Sequence, residues 1–229
     1  MTTTDTISIP TTDTRTWTAV LFDLDGTIVD SAPGITAALE RTLVTLGLPV
    51  PDADGLLSYV GPPLLESFMA RAGMTEPEAR HALEVYRADY NGDAVNTAVF
   101  PGVSGLLERL HKAGVPLALA TSKPESVARR VLEHFDLARF FTVITGATED
   151  ESRSDKADVI AEALRRLNEL DIDTSRSVMV GDRSYDALGA AVHGVPTIMV
   201  EWGYGSPAEA VDAISTVYSA DQLAKKLLS

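Results

Sequence analysis

An α/β fold is predicted, with a doubly wound parallel sheet and a small α-helical domain inserted after the first strand. Three observations predict it. Short, nearly continuous apolar runs bounded by turn residues recur along the chain, the pattern of strands buried on both faces. Amphipathic segments separate the later runs, as crossovers between parallel strands require. One interval, from Ser31 to about Val99, carries only helical patterns. The 229 residues, 45% hydrophobic and 23% charged, suffice for one large domain or a medium one carrying an insertion.

The elements follow in order. Met1 to Thr16 is rich in Thr and Asp, lacks the basic and apolar regions of a signal peptide, and reads as a flexible tail. Thr18–Phe22 reads as the first strand and opens a core domain assigned to 17–30 and 100–229. The cap domain, 31–99, is expected to hold helices at Pro33–Leu46, Pro62–Ala72 and Glu76–Tyr90. Pro at their starts and Gly47, Gly73 or Asn91-Gly92 at their ends is the usual helix asymmetry. Helices are then expected at Val103–Leu110, Ser126–Phe135, Lys156–Leu167 and Tyr185–Val192. Strands alternate with them at Pro116–Ala120, Phe141–Thr145, Ser177–Val180 and Thr197–Val200. Inserted directly after the first strand, the cap hangs over that strand's carboxyl end as a lid. The other reading is that these helices simply pack on the sheet as part of one domain.

Charge and composition exclude several classes of function. A formal net charge of −14 disfavours a nucleic-acid polymer as partner. No apolar run is long enough to span a bilayer, so no membrane partner is expected. Without cysteine there are no disulfides, thiolate nucleophiles or cysteine-zinc sites, which suits a cytoplasmic location. Any phosphate site on so acidic a chain must bring its own positive charge, from a metal, a Lys or a helix N-terminus. Both a monomer and a homodimer fit the sequence.

The chemistry concentrates at predicted strand ends, where open α/β sheets bind ligands. Asp23 and Asp25, two positions apart in Phe22-Asp23-Leu24-Asp25-Gly26-Thr27, point to one side of an extended chain. Like charges so close need a neutralising ion or a shared proton. A metal beside one and proton transfer by the other would satisfy both conditions; an Asp-Gly turn after a strand is the plainer reading. Thr121 and Ser122 end the next strand with hydroxyl donors suited to a phosphoryl oxygen, or with an ordinary turn or N-cap pair. Asp182, and Asp186 one helical turn later, can face one point or serve as helix caps. Lys156 falls in the first turn of its helix, poorly matched to the macrodipole. Such a Lys is usually solvated, yet here it would be the sole point charge offsetting the carboxylates.

Taken in order, these motifs resemble those of the haloacid dehalogenase superfamily of phosphohydrolases, over about Trp17 to Leu228. Tyr59-Val60-Gly61-Pro62-Pro63 and Trp202-Gly203-Tyr204-Gly205 resemble its phosphoglycolate phosphatase and 5'-nucleotidase-like branch. The resemblance implies a Rossmann-like core and Mg2+-dependent hydrolysis of a small phosphorylated metabolite through an aspartyl-phosphate. It implies Asp23 as nucleophile and Asp25 as acid and base. Thr121 and Lys156 would bind the phosphoryl group, with Gly26, Ser122 and Arg183 also on the substrate side. Mg2+ would be held by Asp23, the Asp25 carbonyl and Asp182, with Asp186 acting through water. A β-phosphoglucomutase-like mutase shares all these motifs, and a binding protein without activity is the remaining class. Arg183 is expected either to grip a second substrate anion or to pair with a surface acid, and Gly61-Pro62-Pro63 to touch substrate or form a plain turn. His81, His111, His134 and His193 show no ligand spacing, and Glu149-Asp150-Glu151 reads as a solvated loop.

Overall fold

The computed structural model describes residues 15–229, so residues 1–14 of the expected tail lie outside the described residues. β1 (Ala19–Phe22) leads into β2 (Val29–Asp30) and then four helices, α1 (Ala32–Thr45), α2 (Ala53–Leu57), α3 (Leu64–Ala72) and α4 (Glu76–Asp93). After β3 (Ala98–Val99) the chain alternates: α5 (Val103–Lys112), β4 (Leu117–Pro124), α6 (Glu125–His134), β5 (Val143–Ala147), α7 (Lys156–Glu169) and β6 (Ser177–Gly181). It closes with α8 (Ser184–Ala191), β7 (Thr197–Val200), β8 (Ser215–Val217) and α9 (Ala220–Leu227). Arg15 and Thr16, expected in the tail, are stitched to the core: Arg176 Nη1 donates to Arg15 O at 2.9 Å and Thr16 N to Ser229 O at 3.0 Å.

Six parallel strands form the main sheet in the order β5-β4-β1-β6-β7-β8. β1 is central because its residues are apolar on both faces. Val20 and Phe22 pack into one core with α5, α6 and α9, while Ala19 and Leu21 pack into a second with α7 and α8. The doubly wound α/β expectation is met. β8, α9 and the short α2 were not foreseen. β8 is three residues of Ser-Thr-Val at the sheet edge, too short and polar to carry a buried-strand pattern.

β2 and β3 also escaped notice, being two residues each. They pair antiparallel, Val29 with Val99 and Asp30 with Ala98, so the chain enters and leaves the helical segment through one ribbon. The helices pack chiefly on each other, through α1 against α4 and α3 against α4. Their apolar side chains, including Leu39, Phe68 and Tyr86, join the larger of the two cores.

β4 departs most usefully from expectation. It runs on past Ala120 to Pro124, with a register shift against β5 between those residues. Strand alternation therefore continues through the loop motif: Thr121 and Lys123 are buried and Ser122 and Pro124 less so.

Candidate active site

The carboxyl ends of β1, β4 and β6 meet at one point, where a buried charge cluster forms. Asp23 follows β1 directly, its N–H donating to Val180 O at 2.9 Å and so extending the pairing with β6. Asp182 follows β6. Its Oδ2 accepts from Tyr204 N at 2.7 Å and its Oδ1 from Thr27 Oγ1 at 3.3 Å. Asp186 lies in the first turn of α8, where its Oδ2 accepts from Asp182 N and Arg183 N, both at 3.1 Å. This is the reach-back of a helix cap.

Lys156 is buried, not solvated. Its Nζ lies 2.8 Å from Asp23 Oδ1 and 2.8 Å from Asp186 Oδ1, and it donates to Ala120 O at 3.2 Å. Burial works against its ammonium, but Asp186 and Asp23 outweigh it and raise the pKa. Burial also dominates at Asp23 and, despite Lys156, lifts its carboxyl to about 6. Asp182 is pushed well above the usual carboxylate range by burial, then by Asp186 and Asp23.

Carboxylate oxygens of Asp23, Asp182 and Asp186 lie within 4.8 Å of one another. Oδ1 of Asp23 and Oδ1 of Asp186 are buried and, beside their ion pairs to Lys156, receive no well-directed hydrogen bond from the described residues. Hard oxygen donors crowded around one ammonium are the donor set a small divalent cation takes. The residues fit such an ion.

Gly26 and Gly203 permit this crowding. Gly26 has φ +83°, and a Cβ there would sit 2.2 Å from Asp182 Oδ2; one at Gly203 would sit 2.4 Å from the same atom. The amide of Gly26 donates to Val29 O at 2.9 Å, which pins the turn that brings it against Asp182. The Trp202–Gly205 loop is the floor: Trp202 Nε1 donates to Thr27 O at 3.0 Å and Tyr204 OH to Asp30 Oδ1 at 2.9 Å.

Asp25 stands apart from the cluster. Its carboxylate is held by Lys123, whose Nζ donates to both oxygens at 3.0 Å and to Tyr90 OH at 3.1 Å. Lys156 is therefore not the sole buried cation, because the extension of β4 brings in a second. Burial opposes the Lys123 ammonium, but Asp25 and then Tyr90 more than compensate and raise its pKa. Asp25 and Lys123 line a cavity between the sheet and the helical segment, walled opposite by Tyr59, Leu83, Tyr86 and Tyr90. Thr121 is buried with its Oγ1 accepting from Lys123 N at 3.2 Å, and the buried Ser122 Oγ has no hydrogen-bond partner among the described residues.

Arg183 follows its plainer reading, pairing with an acid, while the Glu151 loop departs from its own. Arg183 pairs with Glu209 at 3.0 Å and donates to Val60 O at 2.5 Å, so its guanidinium ties the core to the helices and is already engaged. The loop around Glu151 is not simply solvated. Glu151 pairs with Arg87 of α4, and Arg87 Nη1 donates to Glu149 O at 2.7 Å. Lys123, Tyr90 and Arg87 were missed. The trace of the first lay in Thr121-Ser122-Lys123, had the strand been continued. The other two lie three apart on one helix, hence on one face.

The family model for haloacid dehalogenase-like hydrolases matches residues 20–200. The chain belongs to that family. Tyrosine-protein kinase PtkA of Mycobacterium tuberculosis is 49% identical over 86% of this chain, which spans 66% of that relative's length. A 5'-nucleotidase of Pseudomonas aeruginosa is 38% identical over 88% of this chain and 90% of its own. A phosphoglycolate phosphatase of Pseudomonas fluorescens is 35% identical over 81% and 70%. Among solved structures, a predicted phosphatase from Clostridium acetobutylicum superposes with a TM-score of 0.86 at 39% identity, covering 92% of this chain and 97% of its own. The hydrolase fold expected from the motifs is thus the fold of this family. Among the described residues, no helix is long and apolar enough to cross a membrane.

Proposed function

We propose that this protein is a Mg2+-dependent phosphatase of small phosphomonoesters, working through an aspartyl-phosphate on Asp23, with residues 31–99 acting as a cap domain. The observation that carries the reading is the separation of two carboxylates by two different buried lysines. Asp23 lies with Asp182, Asp186 and Lys156, where negative phosphoryl oxygens need neutralising, while Asp25 faces the cavity where a leaving group would lie.

In the first step a carboxylate oxygen of Asp23 bonds to phosphorus as the ester P–O bond breaks, and Asp25 gives its proton to the departing oxygen. In the second, water attacks the phosphorus, Asp25 takes a proton from it, inorganic phosphate leaves and the Asp23 carboxylate is regenerated. Lys156 and Thr121 bind the equatorial oxygens over which charge spreads. Asp23, Asp182 and the Asp25 carbonyl would hold Mg2+, with Asp186 acting through water, and the ion would supply further charge neutralisation at the phosphoryl group. Such prearranged charge is usually the largest part of catalysis.

Phosphate release from a panel of phosphoglycolate, nucleoside 5'-monophosphates, sugar phosphates and p-nitrophenyl phosphate, with Mg2+ or EDTA, tests the assignment. Turnover of at least one small ester with Mg2+, silenced by EDTA, is expected. Isomerisation of a sugar phosphate faster than hydrolysis of every ester would replace the phosphatase by a mutase. The 49% identity to a relative named as a tyrosine kinase favours a second reading, transfer of a phosphoryl group to a tyrosine hydroxyl. Label passing from ATP to protein tyrosine, with no ester hydrolysed, would select it.

A further inference from the structure

We propose that Lys123 is the positioning residue for Asp25, and that Tyr90 makes this positioning depend on the helical segment being seated on the core. The proposal rests on the phosphatase reading, because it concerns the carboxyl group which that reading assigns to proton transfer.

Asp25 lies in the tight loop 24–29 that folds back after β1, and its backbone bridges to Val29 within that same loop. Both hydrogen bonds its carboxylate receives from described side chains come from one atom, Lys123 Nζ, at 3.0 Å to each oxygen. A donor straddling both oxygens fixes the plane of the carboxylate as well as its direction, here toward the cavity and away from Asp23, Asp182 and Asp186. An ammonium has three N–H groups. One side of the head group is used on the two Asp25 oxygens and another on Tyr90 OH at 3.1 Å, so the ammonium of Lys123 is anchored from both the core and α4. Its stem is fixed as well: it rises from the register shift in β4, and its own N–H is bound to Thr121 Oγ1 at 3.2 Å.

Tyr90 is the one member of this set that the core does not supply. It lies on α4, its ring stacked on Tyr86 at 5.2 Å, and Lys123 Nζ sits 4.9 Å from the ring centroid. One turn earlier on the same face, Arg87 grips Glu151 and the Glu149 carbonyl on a different core loop. When α4 is seated, Lys123 is fully bound and Asp25 is held. When α4 lifts, the ammonium loses its third acceptor and becomes free to swing. Proton transfer requires the donor within about 2.6–3.2 Å of its target, so a loosened Asp25 slows that step while leaving phosphoryl binding at Lys156 intact.

The test uses Lys123→Met and Tyr90→Phe in the full chain, with an alkyl phosphate, whose leaving group needs a proton, and p-nitrophenyl phosphate, whose leaving group does not. For Lys123→Met we expect kcat on the alkyl ester to fall about 10–10²-fold, the usual cost of a misplaced catalytic group, with KM nearly unchanged. The loss on p-nitrophenyl phosphate should be several-fold smaller. Tyr90→Phe, which keeps both charges and carries the kinetic arm should Lys123→Met fail to fold, should show the same pattern more weakly. Equal losses on both esters, or a loss confined to KM, would make Lys123 a substrate-binding residue and overturn the proposal. Crystal structures of the two variants provide a readout independent of turnover. Rotation of the Asp25 carboxylate away from the Lys123 position supports the proposal, and an unmoved carboxylate in both overturns it. If wild type hydrolyses no ester, the phosphatase reading has failed, and the structures still decide whether Lys123 holds Asp25.

Discussion

Two buried lysines bind carboxylates at the same end of the sheet, but they belong to different kinds of construction. Lys156 is held entirely by the α/β core, between Asp23 after β1 and Asp186 in α8, with Ala120 O of β4 closing the third side. Lys123 joins Asp25 of the core to Tyr90 of the inserted helices. The first group is set by the register of neighbouring parallel strands, so motion of the helices leaves it in place. The second is complete only while the helices are seated. On the proposed function, the groups that would neutralise phosphate are organised in advance, and the group that would transfer the proton is completed only with the helices seated. That division lets a site admit substrate with its charge cluster already formed.

The sharpest way to break the comparison is at Asp23. Asp23→Asn should lower turnover below detection for every ester, because an amide does not attack phosphorus. It should leave the protein folded, and even more stable without metal, since burial already disfavours the charged form of this residue. Circular dichroism and phosphate release check both halves, and rapid turnover without deamidation would contradict the covalent mechanism. Asp25→Asn should cost about 10²–10⁴-fold on alkyl esters, the usual worth of acid-base help, and less on p-nitrophenyl phosphate. An equal loss across leaving groups would remove Asp25 from the first step.

Stability measurements sharpen the contrast between the lysines. Lys156→Met leaves two buried carboxylates without their cation and should destabilise the metal-free protein by about 3–5 kcal/mol in urea melts. Mg2+ should restore part of that loss. Lys123→Met should cost less, because the Asp25 side chain is 11% exposed against 4% for Asp23. A larger cost at Lys123 would reverse the picture of which group is more deeply built in.

The pH dependence is smaller and has a definite sign. A carboxyl whose folded pKa is raised contributes stability that is present below its unfolded value and lost as pH rises through the folded value. For Asp23, raised from 3.8 to about 6, the window runs from about pH 4 to pH 6. Wild type without metal should therefore lose stability relative to Asp23→Asn across that window, as read from paired thermal melts. With Mg2+ present the difference should shrink, because a bound cation favours the carboxylate. Parallel pH profiles for the two proteins would show that Asp23 is not raised.

The smallest effect is expected at Arg87, which touches neither carboxylate group. Arg87→Met removes the clasp on Glu151 and should raise KM a few-fold with kcat within about twofold, seen in steady-state kinetics with any turned-over ester. A large kcat loss would mean that the helices organise the core cluster too.

Much of this was legible in the chain because it is local. Apolar runs such as Ala19–Phe22 and Thr197–Val200 announce buried strands, and Pro and Gly bracket the helices between Ala32 and Asp93. Asp23, Asp25, Thr121, Lys156, Asp182 and Asp186 could be named as candidates because strand ends in such a sheet are where ligands bind. What each does to its neighbours was not legible. A Lys in the first turn of a helix is ordinarily solvated, and nothing near Lys156 in sequence says that it is buried 2.8 Å from Asp23. Lys123 and Asp25 stand 98 residues apart, and their meeting depends on β4 continuing past Ala120 with a shifted register. Arg183 and Glu151 looked like rim charges until the helices folded down beside them. The sequence by itself determined five of the six strands of the sheet, the helical run between Ala32 and Asp93 and most of the polar groups at the strand ends, since periodicity and turn chemistry act over a few residues. Only the tertiary structure decided which lysine serves which carboxylate, because charge pairing follows distance in space and burial multiplies its strength.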